Sequence, residues 1–297
     1  MSDTIFQPRA KKTWVQSLLI AALVALAVSL FGAVGMVRAV NADMNSVQRE
    51  ETASSALSPP DAEFENYLFV GSDSRVGADP SDPDYGNVGD AGDIGGQRSD
   101  TLMVLHYVKR TGTVSLMSIP RDLWVAIGNG KKEQRINTAY QEGTDVLVRT
   151  VQRALNIPIH HYVEIDFQGF KRIVDAVGGV NVCVEHPSRD KHTGLFMRPG
   201  CSTLDGVKAL AYARSRSFEQ KVDDDWRLDG TADIGRSTRQ RGFVQALVKS
   251  SVLALTSNPF KAGDVLRGGL SAVVVDSNLD LIGFGKKLRP AADGKIA

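Results

Sequence analysis

The chain has almost no cysteine, no excess of either charge and no spaced pair of histidines, and each shortage removes a class of function. Cys183 and Cys201 are its only cysteines, and two thiols without histidines at matching spacing make no zinc site. Lys and Arg together number 35 against 34 Asp and Glu, a net charge of +1. A surface that tracks nucleic-acid phosphates shows a basic excess, so nucleic acid is excluded as the main partner. His106, His160, His161, His186 and His192 form no pair on one helix face; each reads as structural or exposed rather than as a base or ligand. No Gly-x-Ser-x-Gly elbow and no Walker-type glycine loop occurs. Any anion-binding chemistry must come from a local concentration of arginine.

What is present begins at the amino end. Arg9, Lys11 and Lys12 precede an uncharged run from Trp14 to Val37. That run is long enough to cross a hydrocarbon core of about 30 Å as a helix, and longer than the roughly 7 to 15 apolar residues of a signal-peptide core. Asp43, Glu50 and Glu51 follow it. The positive-inside rule then puts residues 1–13 in the cytoplasm and residues 43 onward outside. Val40-Asn-Ala42 offers a cleavage site, the alternative in which the span is removed. The expectation is a single-pass cell-membrane protein with a span at 14–37, a linker at 38–63 ending in Ser58-Pro-Pro60, and an exported domain. In that oxidising compartment Cys183 and Cys201 are expected as a disulfide, worth about 3 kcal/mol in the chain-entropy model; the alternative is two buried thiols.

The exported part alternates strand-like and helix-like runs, the pattern of an α/β sheet. Asn66–Val70 reads as a strand that delivers Gly71-Ser-Asp73-Ser-Arg75 to its carboxyl end. Residues 76–97 form a loop whose Asp79, Asp82, Asp84, Asp90 and Asp93 lack the spacing and closing Glu of a calcium loop. Arg98-Ser-Asp100 opens a second strand, Thr101–Val108, and a turn containing Gly112 leads to a third, Val114–Ile119, ending in Pro120-Arg121-Asp122. Three strand ends thus each present an Asp/Arg pair, and in α/β sheets ligand-binding groups collect at strand ends. Ile136-Asn137-Thr-Ala-Tyr140 follows. A helix capped by Thr144 is expected through Leu155, then a strand at His161–Ile165. Next come an Asp166-capped helix ended by Gly178-Gly179 and a strand at Val180–Val184.

Residues 212–241 stand apart. Phe243, Val244, Leu247, Val248, Val252 and Leu255 recur at helical spacing, with Asp233 or Thr231 as N-cap. Followed back one turn, that apolar stripe lands on Gln240 and Arg236, so the face that should enter a core begins with an amide and a guanidinium. Tyr212-Ala-Arg214-Ser-Arg216 adds two more arginines. Buried arginine needs a partner, which points to a strongly anionic ligand; the alternative is pairing with Asp223, Asp224 and Asp225 on a solvated surface. Arg239 and Arg241 lie off the stripe. Leu279–Ile282 reads as a last helix, with an unstructured tail at 286–297.

Taken in order, Gly71-Ser-Asp73-Ser-Arg75, Arg98-Ser-Asp100-Thr, Ser118-Ile-Pro-Arg121-Asp122, Ile136-Asn137-x-Ala-Tyr140, Ala213-Arg214-Ser-Arg216 and Asp233-x-x-Arg236-x-x-Arg239-Gln240 resemble the LytR-CpsA-Psr family. The resemblance covers about residues 65–285. It implies a three-layer α/β/α sandwich at 64–285, with a central mostly mixed sheet enclosing an apolar pocket for a polyprenyl chain. It also implies a phosphotransferase that moves a glycan polymer (arabinogalactan, teichoic-acid-like or capsular) from a polyprenyl-pyrophosphate carrier to peptidoglycan, releasing polyprenyl phosphate. The paired cysteines resemble those of actinobacterial members, for which arabinogalactan is the first expectation. By matching motif positions, Arg75, Arg98, Arg121, Arg214, Arg216, Arg236 and Gln240 would hold the pyrophosphate. Asp73 and Asp100 would hold Mg2+ or Mn2+, and Arg121, Asp233 and Arg236 would form the catalytic set. Asp233 has three open roles: orienting Arg236, capping the helix, or taking the acceptor's proton. A pyrophosphatase using the same groups and a membrane-anchored lipid-binding regulator remain as other readings. A cytoplasmic tail at 1–13 is too short for a DNA-binding domain.

Overall fold

The computed structural model describes residues 47–74, 99–229, 232–257, 268–269 and 271–292. The expected span at 14–37, Arg75 and Arg98 lie outside the described residues, as do the side chains of Asp100 and Asp233. Among the described residues no helix is long and apolar enough to cross a membrane.

In chain order, strand β1 (Gln48–Glu50) and one turn of helix, α1 (Glu51–Ser54), come first. β2 (Phe64–Ser72), β3 (Ser99–Val108) and β4 (Thr113–Ile119) follow, then a small hairpin of β5 (Trp124–Ala126) and β6 (Glu133–Arg135). A 3-10 turn at Ile136–Thr138, α2 (Ala139–Glu142) and α3 (Thr144–Leu155) lead to β7 (His161–Ile165) and α4 (Phe167–Ala176). β8 (Val180–Val184), β9 (Ser188–Asp190), β10 (Leu195–Met197) and β11 (Gly200–Leu204) precede α5 (Gly206–Arg214). β12 (Glu219–Val222), β13 (Asp225–Leu228) and the long α6 (Ala232–Ser257) come next, and β14 (Val273–Asp276) and α7 (Leu281–Ala292) are the last described elements.

The central sheet runs β1-β14-β7-β2-β3-β4. β2 is parallel to β7 and antiparallel to β3, so the fold is a mixed α/β fold around a mixed sheet. Side chains alternate across it. Leu68, Val70, Leu102, Val104, Ile119 and Tyr162 face one way and pack on Ala53 of α1 and on Leu147, Val148 and Val151 of α3. Those three α3 residues sit at helical spacing and are fully buried, which contributes about 2 kcal/mol each. Asn156, at φ 53, ends the helix in the left-handed conformation. Tyr67 and Phe69 face the other way and meet Phe284 of α7, ring centroids 4.7 and 6.1 Å apart. A second core, with Val174, Val180, Leu204, Tyr212 and Phe243, joins α4, α5 and α6 to the β8–β11 pair.

Several local readings hold in detail. β7 and β8 run over His161–Ile165 and Val180–Val184. The Asp166 side chain accepts the Gly169 N–H at 2.5 Å as N-cap of α4, and Gly178 and Gly179 follow that helix at φ 83 and 92. Others are corrected. Residues 48–54, read as linker, supply β1 and α1, because Arg49 donates to the carbonyls of Asp276 and Leu279 and Ala53 is wholly buried. The position before α3 is Gly143, at φ 136, while Thr144 Oγ1 donates to Glu50. α7 reaches Ala292, so most of the expected tail from 286 is helical. Cys201 lies within β11 directly opposite Cys183, and the two are joined as a disulfide.

Candidate active site

Strand register assembles one end of the sheet. The antiparallel β2–β3 pairing sets Gly71 against Thr101 and Ser72 against Ser99. Asp73 and Asp100 therefore occupy the same edge, and Gly71 runs so close to β3 that an added Cβ would sit 3.0 Å from the Thr101 Cβ. Leu102 opposite Ile119 brings the end of β4, and Arg121 just beyond it, to that edge as well. Arg121 Nε lies 3.4 Å from Asp122, whose other oxygen is 3.5 Å from Arg135 Nε. The Arg121 carbonyl accepts the Asn137 N–H at 3.2 Å. Ser99 Oγ, Ser118 Oγ and Asn137 Oδ1 are buried around this end without hydrogen-bond partners among the described residues. Buried polar atoms are nearly always satisfied, so these three take partners beyond the described residues, from chain, water or ligand.

A carboxylate with no assigned role stands beside it. Glu164 of β7 accepts a hydrogen bond from Tyr162 Oη at 2.7 Å on one oxygen and a very short one from Tyr140 Oη on the other. Burial, and then the negative charge of Glu164, push both tyrosine hydroxyls well above their usual range. Both stay protonated donors, and the carboxylate of Asp73 is near enough to Tyr140 to push the same way.

The second wall is cationic. α5 ends at Arg214, whose guanidinium lies 4.6 Å from the centre of the Phe167 ring. The following turn is shaped by Asp190, which is only 1 % exposed. Its carboxylate accepts from Ser215 Oγ at 2.7 Å and from the N–H groups of Arg216 and Ser217 at 3.1 and 2.9 Å. Burial works to raise its pKa, but the hydrogen bonds from Ser215, Ser217, His192 and Thr193 prevail and lower it. On α6, Arg236 is buried. Arg239 pairs with Asp229 at 2.7 Å, donates to the Ser215 carbonyl at 3.0 Å and covers the Phe218 ring, so it ties α6 to the Arg-Ser-Arg turn. The acidic turn at 223–225 is served by its own hairpin, Asp224 by Lys221 at 2.9 Å and Asp223 by Arg227 at 3.4 Å.

One side chain links the two walls. Gln240 Nε2 donates to Thr101 Oγ1 at 3.1 Å and to the Ala213 carbonyl at 3.0 Å. The residue after Asp100 and the residue before Arg214 are therefore held by one amide. Asp233 falls in the first turn of α6, which begins at Ala232, and not ahead of it. An acidic residue there lies at the positive end of the helix dipole. Among the described residues no group of three or more His, Cys, Asp or Glu is arranged to hold a metal. Asp73 lies at the edge that the Asp100 backbone shares, and carboxylate oxygens are the ligands a hard cation takes.

The LytR_cpsA_psr family model matches residues 33–294. The chain belongs to the LytR-CpsA-Psr family. It is 38% identical over 212 residues to the probable cell wall biosynthesis protein LcpB of Corynebacterium glutamicum, covering 71% of this chain and 48% of that protein. It is also 38% identical over 185 residues to the polyisoprenyl-teichoic acid–peptidoglycan teichoic acid transferase TagU of Halalkalibacterium halodurans, covering 62% and 56%. The chain thus spans about half the length of the curated relatives it matches. Among solved structures, the LytR-Csp2A-Psr enzyme from Actinomyces oris superimposes with a TM-score of 0.64 at 25% identity, covering 84% of this chain and 85% of that one. B. subtilis TagV gives 0.58 at 28%, covering 80% and 84%.

Within this LytR-CpsA-Psr chain, the motif residues Asp73, Arg121, Arg214 and Gln240 fall on elements that meet at one end of the sheet. Glu164 and Asp190 were not foreseen. Each is a lone carboxylate on a short strand with no local pattern, and only the alternation of Glu164 with Val163 and Ile165 hinted at an inward-facing charge.

Proposed function

We propose that the chain is a phosphotransferase that moves a glycan polymer from a polyprenyl-pyrophosphate carrier to peptidoglycan and releases polyprenyl phosphate. The observation that carries this reading is the Gln240 bridge, which holds an arginine-bearing helix end against a carboxylate-bearing strand end. Planar guanidinium forks bind phosphate oxygens bidentately, and Arg121, Arg214, Arg216 and Arg236 are the groups assigned to the diphosphate, with Arg75 and Arg98 at its entrance. An acceptor hydroxyl attacks the phosphorus that bears the glycan, and the P–O bond to polyprenyl phosphate breaks. The arginines stabilise the charge that gathers on the departing phosphate. Mg2+, or Mn2+, at Asp73 and Asp100 would neutralise further phosphate charge. Asp233 takes the acceptor's proton or orients Arg236.

The prenyl chain is assigned to the apolar face of α6. On that helix Phe243 is buried, but Val244, Ala246, Leu247 and Val248 are only half-buried, unlike the fully buried inner face of α3. Residues 14–37 anchor the chain in the cell membrane with residues 1–13 cytoplasmic, beside the lipid-borne donor. The names of LcpB and TagU support the reaction class; arabinogalactan is the polymer we assign first.

The test is incubation of the full chain in detergent with a defined glycan-pyrophosphoryl-prenol, Mg2+ and peptidoglycan. Prenyl phosphate released with glycan retained on the wall fraction establishes transfer; the same release with free glycan establishes hydrolysis; no release on either count leaves a lipid-binding regulator. Arg121→Ala or Arg236→Ala should lower transfer at least a hundredfold, on the scale of losing a charge-stabilising group. Wild-type turnover in either variant would remove the clamp.

A further inference from the structure

Beside this site stands an aromatic surface that the donor-binding machinery does not use. Trp124 on β5 is 63% exposed. The other described tryptophan, Trp226, has the Arg189 guanidinium 3.8 Å above its ring; Trp124 stacks on no ring or cation among the described residues. Burying an indole face is among the largest single contributions a side chain makes to an interface, and the fold leaves this one in water.

The hairpin beneath it is held at both ends. At its base, the Leu123 carbonyl accepts the Ile136 N–H at 2.8 Å and the Arg121 carbonyl accepts the Asn137 N–H at 3.2 Å. At its tip, Thr150 Oγ1 of α3 accepts the Gly128 N–H at 2.7 Å, and Arg153 donates to the carbonyls of Gly130 and Gly128 at 3.0 and 3.3 Å. Ile127 is buried as a plug between them. A rigidly presented aromatic loses little freedom on binding. Register puts Trp124 directly opposite Arg135, and Arg135 reaches Asp122, next to Arg121. One exposed face thus carries a flat apolar ring, a neighbouring guanidinium and a continuous connection to the assigned diphosphate clamp.

We infer that Trp124 and Arg135 form the docking platform for the peptidoglycan acceptor, with the C–H face of one sugar ring on the indole and Arg135 donating to a hydroxyl or carboxylate of that strand. This rests on the transferase reading. The donor is held by its lipid and its diphosphate, whereas an uncharged acceptor hydroxyl offers no such handle, so a separate surface must bring it to the phosphorus.

The test uses the full chain in detergent with a soluble, uncrosslinked peptidoglycan glycan fragment and the glycan-pyrophosphoryl-prenol donor. Trp124→Ala should raise the acceptor KM about tenfold with kcat and donor KM unchanged, and Trp124→Phe should recover most of the loss. A rise in donor KM instead would assign the platform to the donor's glycan and overturn the inference, as would an unchanged acceptor KM. In a Trp14→Phe, Trp226→Phe background, Trp124 emission should change saturably as the glycan fragment is added without donor. A flat titration overturns the platform whatever the activity. Absence of prenyl phosphate release from the unsubstituted chain would instead strike the transferase reading, leaving the emission titration to decide on the platform alone.

Discussion

Asp190 shows how one carboxylate can govern a cationic turn without touching any ligand. It gathers the Ser215 hydroxyl and the N–H groups of Arg216 and Ser217, so the direction of the Arg-Ser-Arg segment depends on a negative charge behind it. Asp190→Asn keeps the size, removes the charge and turns one of the two accepting oxygens into a donor. Hydrogen bonds to a charged group are worth about 2 kcal/mol, and a loss of that order is expected in urea unfolding, with weaker donor binding. The pH dependence has a definite sign. The folded pKa lies below the ordinary carboxylate value, so the stabilisation is present above about pH 4 and is lost as pH falls through the folded pKa. The acid-side slope of Tm against pH should be shallower in Asp190→Asn. Equal slopes would mean the charge is not what holds the turn.

At the scale of elements, α5 is placed by contact with α4. A Cβ on Gly206 would lie 2.7 Å from the Lys171 carbonyl oxygen and 2.8 Å from its Cα, and the Gly206 N–H donates to Asp175 at 2.7 Å. Gly206→Ala must push the two helices apart, at about 1–3 kcal/mol, and α5 carries Arg214 at its far end. Both the denaturation midpoint and transfer should fall; an unchanged midpoint would show that the helices give way freely. The β8–β11 pair is stapled by Cys183–Cys201, closing a sequence separation of 18 residues. Replacing both with serine should lower stability by about 3 kcal/mol, with reductant then destabilising only the unsubstituted chain. Elements with strong local signals were legible in the sequence: β7 and β8 as apolar runs, α4 with its aspartate cap and glycine stop. The cationic first turn of α6 was legible because it interrupts a periodic apolar face. β1 and α1 were not, since Gln48-Arg-Glu50 is polar and becomes a strand only by pairing with β14, more than 200 residues away. Likewise Glu164 gains Tyr140 only from the packing of α2 against the sheet, whereas Tyr162 is its neighbour two residues back on the same strand.

At the scale of the molecule, the folded unit starts earlier than composition suggested. A chain begun at residue 64 would lack Ala53 and Ala56, both part of the main core, and the Arg49 bonds to the Asp276 and Leu279 carbonyls. Compared with a chain begun at residue 46, it should unfold at a clearly lower temperature, by several degrees for each kcal/mol lost. Coincident melting curves would return residues 48–57 to the role of linker. The first described segment is thus as much a part of the sheet as β2, which organises the assigned clamp.

The same three-residue β1 has a second effect, on what the protein does to its neighbours. The strand it covers is Val273-Val-Val-Asp276, short, β-branched and nearly uncharged, the kind of strand that pairs with another chain when left at a sheet edge. With β1 in place, the outermost strand carries Arg49 and Glu50 and is too short to recruit a partner. Strip it away and β14 becomes an open border of the sheet, so crowded copies would be at risk of zipping together edge to edge. A polar scrap of chain that reads as a spacer therefore acts as the guard of that one edge of the sheet.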